Sequence, residues 1–295
     1  MPENQETWTI QGLLKWTAGY FEAKGVDSPR LTAEVLLARV LELTRTALFT
    51  RFDQPLSASE LADFKALIKR RAAREPTAYI LGEREFFSLP FSVTPDVLIP
   101  RPETELLVET ALSALDSMKD AEAVSVLDLG AGSGAVACAI AWERPECRVT
   151  AVEKSEKALA VARRNAERLG LSAIRLLQSD WFSALPGGER FSVIVSNPPY
   201  IKRDVIPTLS PEVARHEPVE ALDGGPDGLD SIRAIIGGAP EHLEPDGFLI
   251  FEMGFDQKDA VAEAFAQSGR FGEPEFVKDY AGHFRVARAS LAPRQ

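Results

Sequence analysis

The run Asn197-Pro198-Pro199-Tyr200 places hydrogen-bond acceptors together with few competing donors. Proline carries no N–H, so the loop offers the Asn197 side-chain oxygen and the Pro198 carbonyl. Together they can accept both N–H bonds of a planar NH₂ group. An amide nitrogen is a poor nucleophile, because its lone pair is delocalised into the carbonyl. Two acceptors would aim that lone pair and favour the positive charge that develops on nitrogen during bond formation. Tyr200 offers a face on which a planar amide or base can stack. No dedicated general base is needed, since an alkylated amide nitrogen is strongly acidic until it loses a proton to solvent. A purely structural reading exists, because Pro-Pro stiffens a loop and Asn before Pro starts turns. The company this loop keeps weighs against it, and Asn197, Pro198, Pro199 and Tyr200 are the expected catalytic residues.

That company begins at Asp128-Leu129-Gly130-Ala131-Gly132-Ser133-Gly134, where an apolar strand runs into glycines and a helix opens. Glycine is needed where backbone turns sharply or meets a ligand without a Cβ in the way. Strand, glycines and helix N-terminus in that order make a nucleotide-type site; a tight turn with no ligand is the bland alternative. The spacing is G-x-G-x-G and lacks the G-x-G-x-x-G of dinucleotide enzymes. Asp128 suits a ligand with a cationic amino group and a sulfonium. About 20 residues further on, Glu153 ends the next strand, where a carboxylate can accept from ribose hydroxyls. Asp180, followed by Trp181 and Phe182, is placed to meet an adenine. These features point to S-adenosylmethionine. The expected contacts are Asp128, the loop Gly130, Ala131, Gly132, Ser133 and Gly134, then Glu153, Asp180, Trp181 and Asn197.

Such residues need a frame that gathers them. From residue 103 onward apolar strands alternate with helices: strands at 124–129, 148–152, 174–177, 191–196 and 248–251, helices at 134–142, 156–169, 230–237 and 257–267, and a closing pair near 275–278 and 284–289. That pattern predicts an α/β fold with a mostly parallel sheet covered on both faces. Right-handed crossovers place the strand C-termini, and any ligand, on one edge. Before it, residues 8–74 carry helical periodicity. One stripe is Leu31, Val35, Leu36 and Val40, another Leu61, Phe64, Leu67 and Ile68, with Ser57-Ala58-Ser59-Glu60 as a capping box in outline. The basic run Lys69, Arg70, Arg71 and Arg74 reads as the solvated face of a last turn, or as a docking surface for an acidic partner. Between 79 and 97, alternation through Phe86, Leu89, Phe91 and Val93 predicts a β-hairpin or extended connector whose aromatics pack on a neighbouring domain. The expected division is a helical domain at 1–76, a hairpin linker at 77–97 and a catalytic domain at 98–295.

Composition narrows the partners. The 295 residues carry a formal net charge of −11, which disfavours non-specific contact with nucleic-acid phosphates. No apolar run is long enough for a membrane span. The start, Met1-Pro2-Glu3-Asn4-Gln5-Glu6, lacks the basic and apolar segments of a secretory signal, so a cytoplasmic protein is expected, with a monomer as the default. Cys138 reads as a small buried residue, and neither the two cysteines nor His216, His242 and His283 has metal-site spacing. No metal is expected.

The chain resembles the HemK-type peptide-chain-release-factor glutamine methyltransferases over nearly its whole length. Beyond the two motifs above, the likeness is carried by Arg74-Glu75-Pro76, Tyr79-Ile80-Leu81-Gly82, Ile99-Pro100-Arg101-Pro102-Glu103-Thr104-Glu105, Gln178-Ser179-Asp180-Trp181-Phe182, Glu217-Pro218 leading to Ala221-Leu222, and Asp279-Tyr280-Ala281-Gly282-His283-Phe284-Arg285-Val286. The resemblance implies a Rossmann-like seven-stranded class I methyltransferase domain preceded by a small all-helical domain and a β-hairpin linker. It implies methyl transfer to the glutamine of a Gly-Gly-Gln tripeptide in class I release factors, with residues 99–105 lining the cofactor's methionine end. Glu153 departs from the Asp of many relatives but keeps the carboxylate. Three other readings stay open. A DNA amino-methyltransferase could present a flipped base to the same loop, though the charge and the lack of an obvious target-recognition domain oppose it. The same chemistry could act on a ribosomal-protein glutamine. A silent adaptor could bind the cofactor and dock a partner.

Overall fold

A computed structural model describes residues 8–118 and 124–293, so the acidic start at residues 1–6 lies outside the described residues. The chain divides into two compact units, residues 1–82 with Pro211–His216, and Glu83–Ser210 with the remainder. Among the described residues no helix is long and apolar enough to cross a membrane.

The first unit is helical: α1 (Ile10–Ala23), α2 (Pro29–Leu41), α3 (Arg45–Thr50), α4 (Ala58–Ala72) and α5 (Thr77–Leu81). Thr9 and Thr44 cap α1 and α3 through backbone N–H groups, and Ser57 with Glu60 closes a full capping box on α4. Their core holds Ile10, Leu14, Phe21, Leu36, Leu37, Leu48 and Phe64. The buried stripe of α2 differs from expectation: Ala33, Leu36 and Leu37 face inward, while Leu31 is 44% exposed. The helix is turned toward its Ala33 side, at i, i+3 and i+4 spacing.

The basic run is solvated only in part: Lys69 and Arg70 are exposed, whereas Arg71 is buried and Arg74 half-buried. Arg70 pairs with Glu75, and Arg71 and Arg74 both bind Glu212 at 2.7–2.8 Å. Glu212 lies on the short helix Pro211–His216, which belongs to this unit although it follows β-strands of the other in sequence. The three arginines thus find their acidic partners within the chain itself. Burial alone would push the Glu212 carboxyl up, but hydrogen bonds from Arg74 and Arg71 hold it down at about 2.

The second unit opens with the hairpin β1 (Glu83–Phe86) and β2 (Leu89–Ser92). Phe86 pairs with Leu89 across the two-residue turn Phe87-Ser88, both at positive φ, as the twist of a two-residue hairpin demands. The stretch Thr77–Leu81, expected as linker, is helical instead. Phe86, Leu89 and Phe91 pack into the core of this second unit. Asn165 fastens the hairpin by accepting from Ser92 N–H (2.8 Å) and donating to the Ser92 and Ser133 carbonyls (3.0 and 2.8 Å).

After α6 (Glu105–Asp116) comes the alternation: β3 (Ser125–Leu129), α7 (Ala135–Glu143), β4 (Arg148–Glu153), α8 (Glu156–Arg168), β5 (Arg175–Gln178), β6 (Phe191–Ser196), α9 (Pro211–His216, of the first unit), α10 (Asp230–His242), β7 (Leu243–Glu252), α11 (Lys258–Ser268), β8 (Glu275–Lys278) and β9 (Phe284–Ser290). The seven strands order as β5-β4-β3-β6-β7-β9-β8. β9 runs antiparallel between β7 and β8, and the rest are parallel. Successive side chains alternate faces: Val126, Val193 and Ile250 meet α6 and α7, while Leu127, Ile194 and Leu249 meet α10 and α11. Both faces are covered, and the expected seven-stranded, mostly parallel sheet is present.

Candidate active site

The C-terminal ends of β3, β4, β6 and β7 meet on one edge. After β3, Gly130, Gly132 and Gly134 all take positive φ. The Gly130 and Ala131 N–H groups donate to the Val152 carbonyl at the end of β4 (2.9 and 3.0 Å). At Gly134 a glycine is required twice over: φ is +80°, and a Cβ would stand 3.2 Å from Ala162 on α8. Glu153 accepts from Gly132 N–H and Ser155 N–H, both at 2.8 Å, so its carboxylate shapes the loop it borders. Asp128 is buried and accepts from Ala137 N–H at 3.1 Å. Burial lifts its carboxyl to about 7; the Ala137 N–H opposes this, and the Glu153 charge adds to it.

A cavity of about 660 Å³ opens here, lined by Asp128, Gly130, Ala131, Gly132, Ser133, Glu153, Asp180, Trp181, Asn197 and Pro199 among the residues singled out in the sequence. Leu98, Pro100, Thr104, Pro218 and Ala221 also line it. Trp181 takes φ +50° and lies over Gly130, where an added Cβ would touch its ring at 3.6 Å. Asp180 pairs with Lys154 in solvent (2.8 Å). Gly134, Pro198 and Tyr200 do not line the cavity.

The Asn-Pro-Pro-Tyr loop leaves β6 where Ser196 donates its hydroxyl to the Leu129 carbonyl at 2.7 Å, tying it to the glycine loop. Asn197 donates from Nδ2 to the Thr104 hydroxyl (3.1 Å), which donates to Glu252 (2.6 Å). Tyr200 donates to the other oxygen of Glu252 (2.8 Å). Burial, then the Glu252 charge and hydrogen bond, hold the Tyr200 hydroxyl well above its ordinary range. Burial raises Glu252 too, against its hydrogen bonds from Thr104 and Tyr200. Behind the loop, Gln257 donates to the Tyr200 and Gly228 carbonyls (2.9 and 3.1 Å) and accepts from Gly254 N–H (2.8 Å).

Glu252 and Gln257 were not among the expected catalytic or cofactor contacts, whereas Thr104 belongs to the stretch 99–105 expected beside the cofactor and lines the cavity. Glu252 carried a signal: like Glu153, it is an acid that ends an apolar strand on the ligand edge. Among the described residues no group of three or more His, Cys, Asp or Glu is placed to hold a metal.

A family model for the PrmC N-terminal domain matches residues 12–82, and one described as methyltransferase small domain matches 104–211. A release factor glutamine methyltransferase of Geobacter sulfurreducens is 48% identical over 91% of this chain and 92% of its own length. One from Burkholderia pseudomallei is 51% identical over 88% and 92%. The chain belongs to the release factor glutamine methyltransferase family. A further member, from Salmonella typhimurium, is 45% identical over 90% and 94%, so the likeness takes in the helical unit as well as the sheet. At the level of fold alone, the catalytic domain of hMettl16, solved with the MAT2A 3'UTR hairpin 6, superposes with a TM-score of 0.58 at 14% identity, over 77% of this chain and 82% of that one.

Proposed function

We propose that this chain methylates the side-chain amide nitrogen of the glutamine in the Gly-Gly-Gln tripeptide of class I release factors, with S-adenosylmethionine as donor. The observation that carries the reading is the pairing of Asn197, its carboxamide oxygen turned away from Thr104, with a cavity bordered by glycines and acids. The volume falls within the roughly 300–1,000 Å³ of small-molecule sites. Its donor set suits the cofactor: Asp128 for a cation, Glu153 for ribose, Trp181 for adenine, and a glycine loop that lets backbone come close. When bound, the cofactor supplies an electrophilic methyl carbon. The protein's own part is orientation. The Asn197 oxygen and the Pro198 carbonyl accept the two N–H bonds of the glutamine amide and fix the direction of its lone pair. They also stabilise the positive charge on nitrogen until a proton leaves to solvent. Tyr200, which stands behind the cavity lining, is held by its hydroxyl on Glu252 and steadies the end of the loop. The helical unit, with the expected domain at 1–76, serves to dock the release factor. Its support is that this unit exposes three large apolar side chains, Trp16, Phe49 and Phe52, each about half accessible, which a docked partner would cover. A cytoplasmic monomer without nucleic-acid or membrane contacts completes the reading.

The test is transfer of labelled methyl to purified release factor, to the same factor with the tripeptide glutamine replaced, and to duplex DNA. Label on the first alone is the expected result, and Asn197→Ala should lower it by about 10²-fold or more. Label on DNA, or on both forms of the factor, would overturn the substrate.

A further inference from the structure

We propose that Glu252 is a positioning residue that sets the polarity of the Asn197 carboxamide, acting through the Thr104 hydroxyl. This rests on the reading above, in which the Asn197 oxygen accepts the substrate N–H.

An ionised carboxylate only accepts, and a hydroxyl has one proton to give. Glu252 ends β7, is 1% exposed, and takes the Thr104 proton on one oxygen and the Tyr200 proton on the other. With its proton committed, Thr104 can only accept from Asn197. The atom of Asn197 that meets it must therefore be the NH₂, which leaves the carboxamide oxygen for the cavity side. A half-turn of the side chain would set two acceptors, the Asn197 oxygen and the Thr104 oxygen, about 3 Å apart with no proton between them. Asparagine offers both polarities in one shape, and only one of them accepts the N–H of an incoming amide. The carboxylate is thus the origin of a two-bond relay that makes Asn197 an acceptor. The same residue fixes Tyr200 at the far end of the loop, so both ends of Asn-Pro-Pro-Tyr answer to one buried group. Glu252 does not line the cavity, so its effect on the reaction passes through Asn197 and Tyr200.

Glutamine at this position keeps the shape but brings a donor. If its NH₂ faces Thr104, the hydroxyl is free to donate to Asn197, and the turned carboxamide becomes the stable one. Glu252→Gln should lower kcat for the glutamine substrate by about ten-fold or more, the order of one well-aimed hydrogen bond. The affinity for S-adenosylmethionine, measured by calorimetry, should stay within about two-fold. Thr104→Val should match that loss, Thr104→Ser should recover most of the activity, and Glu252→Gln with Thr104→Val should be no worse than either alone, because the two act in series. The side-chain ¹⁵N amide resonance of Asn197 reads the polarity without any substrate. In the wild type one of its protons should be protected from exchange, and in Thr104→Val that protection should vanish. Should Glu252→Gln fail to fold, Thr104→Val and Thr104→Ser carry the test. Wild-type kcat in Glu252→Gln, additive losses, or an unprotected Asn197 amide in the wild type would overturn the relay. Failure of the wild type to label release factor, with the Asn197 amide still protected, would overturn the substrate reading and leave the relay standing.

Discussion

Asp128 shows how a single buried acid can couple ligand binding to pH. Its carboxyl ionises near 7, chiefly because it is buried. In the unfolded chain it would ionise near 3.8, so the protonated form is the one the fold favours. Its contribution to stability is complete below the unfolded value and is lost as pH rises through about 7. A cationic ligand reverses the preference by stabilising the carboxylate. Affinity for S-adenosylmethionine should accordingly rise roughly five- to ten-fold between about pH 6 and pH 8, with proton release on binding at the lower end. Calorimetry in buffers of different ionisation heat measures both; a flat profile would mean that Asp128 does not face the cation. At Gly228, φ is +80° and a Cβ would stand 2.5 Å from the Tyr200 carbonyl oxygen. Gly228→Ala should therefore displace the Gln257 brace and lower both activity and stability, read as kcat and melting temperature. Cys138 illustrates the inert case: burial pushes its thiol up to about 12, as its apolar neighbours in the sequence suggested.

Elements carry the chemistry by where they end. The strands β3, β4 and β6 were legible in the sequence because a sheet covered on both faces leaves uninterrupted apolar runs, and Asp128, Glu153 and Asn197 stand within or just beyond them. Helix α6 was not, since no loop motif announced it, yet Leu107, Val108, Ala111 and Leu115 bury its inner face. The start of β7 was hidden by Glu244-Pro245-Asp246-Gly247, which reads as a turn. Here the strand begins at Leu243 against Phe191 and resumes regular pairing at Phe248. Glu252 escaped notice because a lone acid after an apolar strand has no partner in a linear reading; Thr104 lies 148 residues away. Asn165 is of the same kind, a helix residue whose buried amide joins β2 to the glycine loop. Asn165→Ala leaves the Ser92 and Ser133 backbone groups without that partner and should cost about 2 kcal/mol of stability, measured by denaturant unfolding.

On the scale of the whole molecule, the decisive ion pairs are those of Glu212. Its carboxyl is held at about 2, below its ordinary value, so its contribution is present above about pH 4.5 and is lost as pH falls through about 2. Glu212→Gln would leave Arg71, which is 4% exposed, with its charge uncompensated. The expected loss is about 2–3 kcal/mol, seen as a lowered midpoint of the helical unit's unfolding. Arg71 and Arg74 misled the linear reading because their acidic partner stands 141 and 138 residues away. That pairing also bears on inheritance. The helical unit is encoded in two pieces, residues 1–82 and Pro211–His216, so the chain leaves and re-enters it. A chimera that takes its first 82 residues from a relative receives new arginines but keeps the old glutamate. Exchange among relatives should succeed where both pieces travel together, and compensating changes at 71, 74 and 212 are where the record of such exchanges would be written.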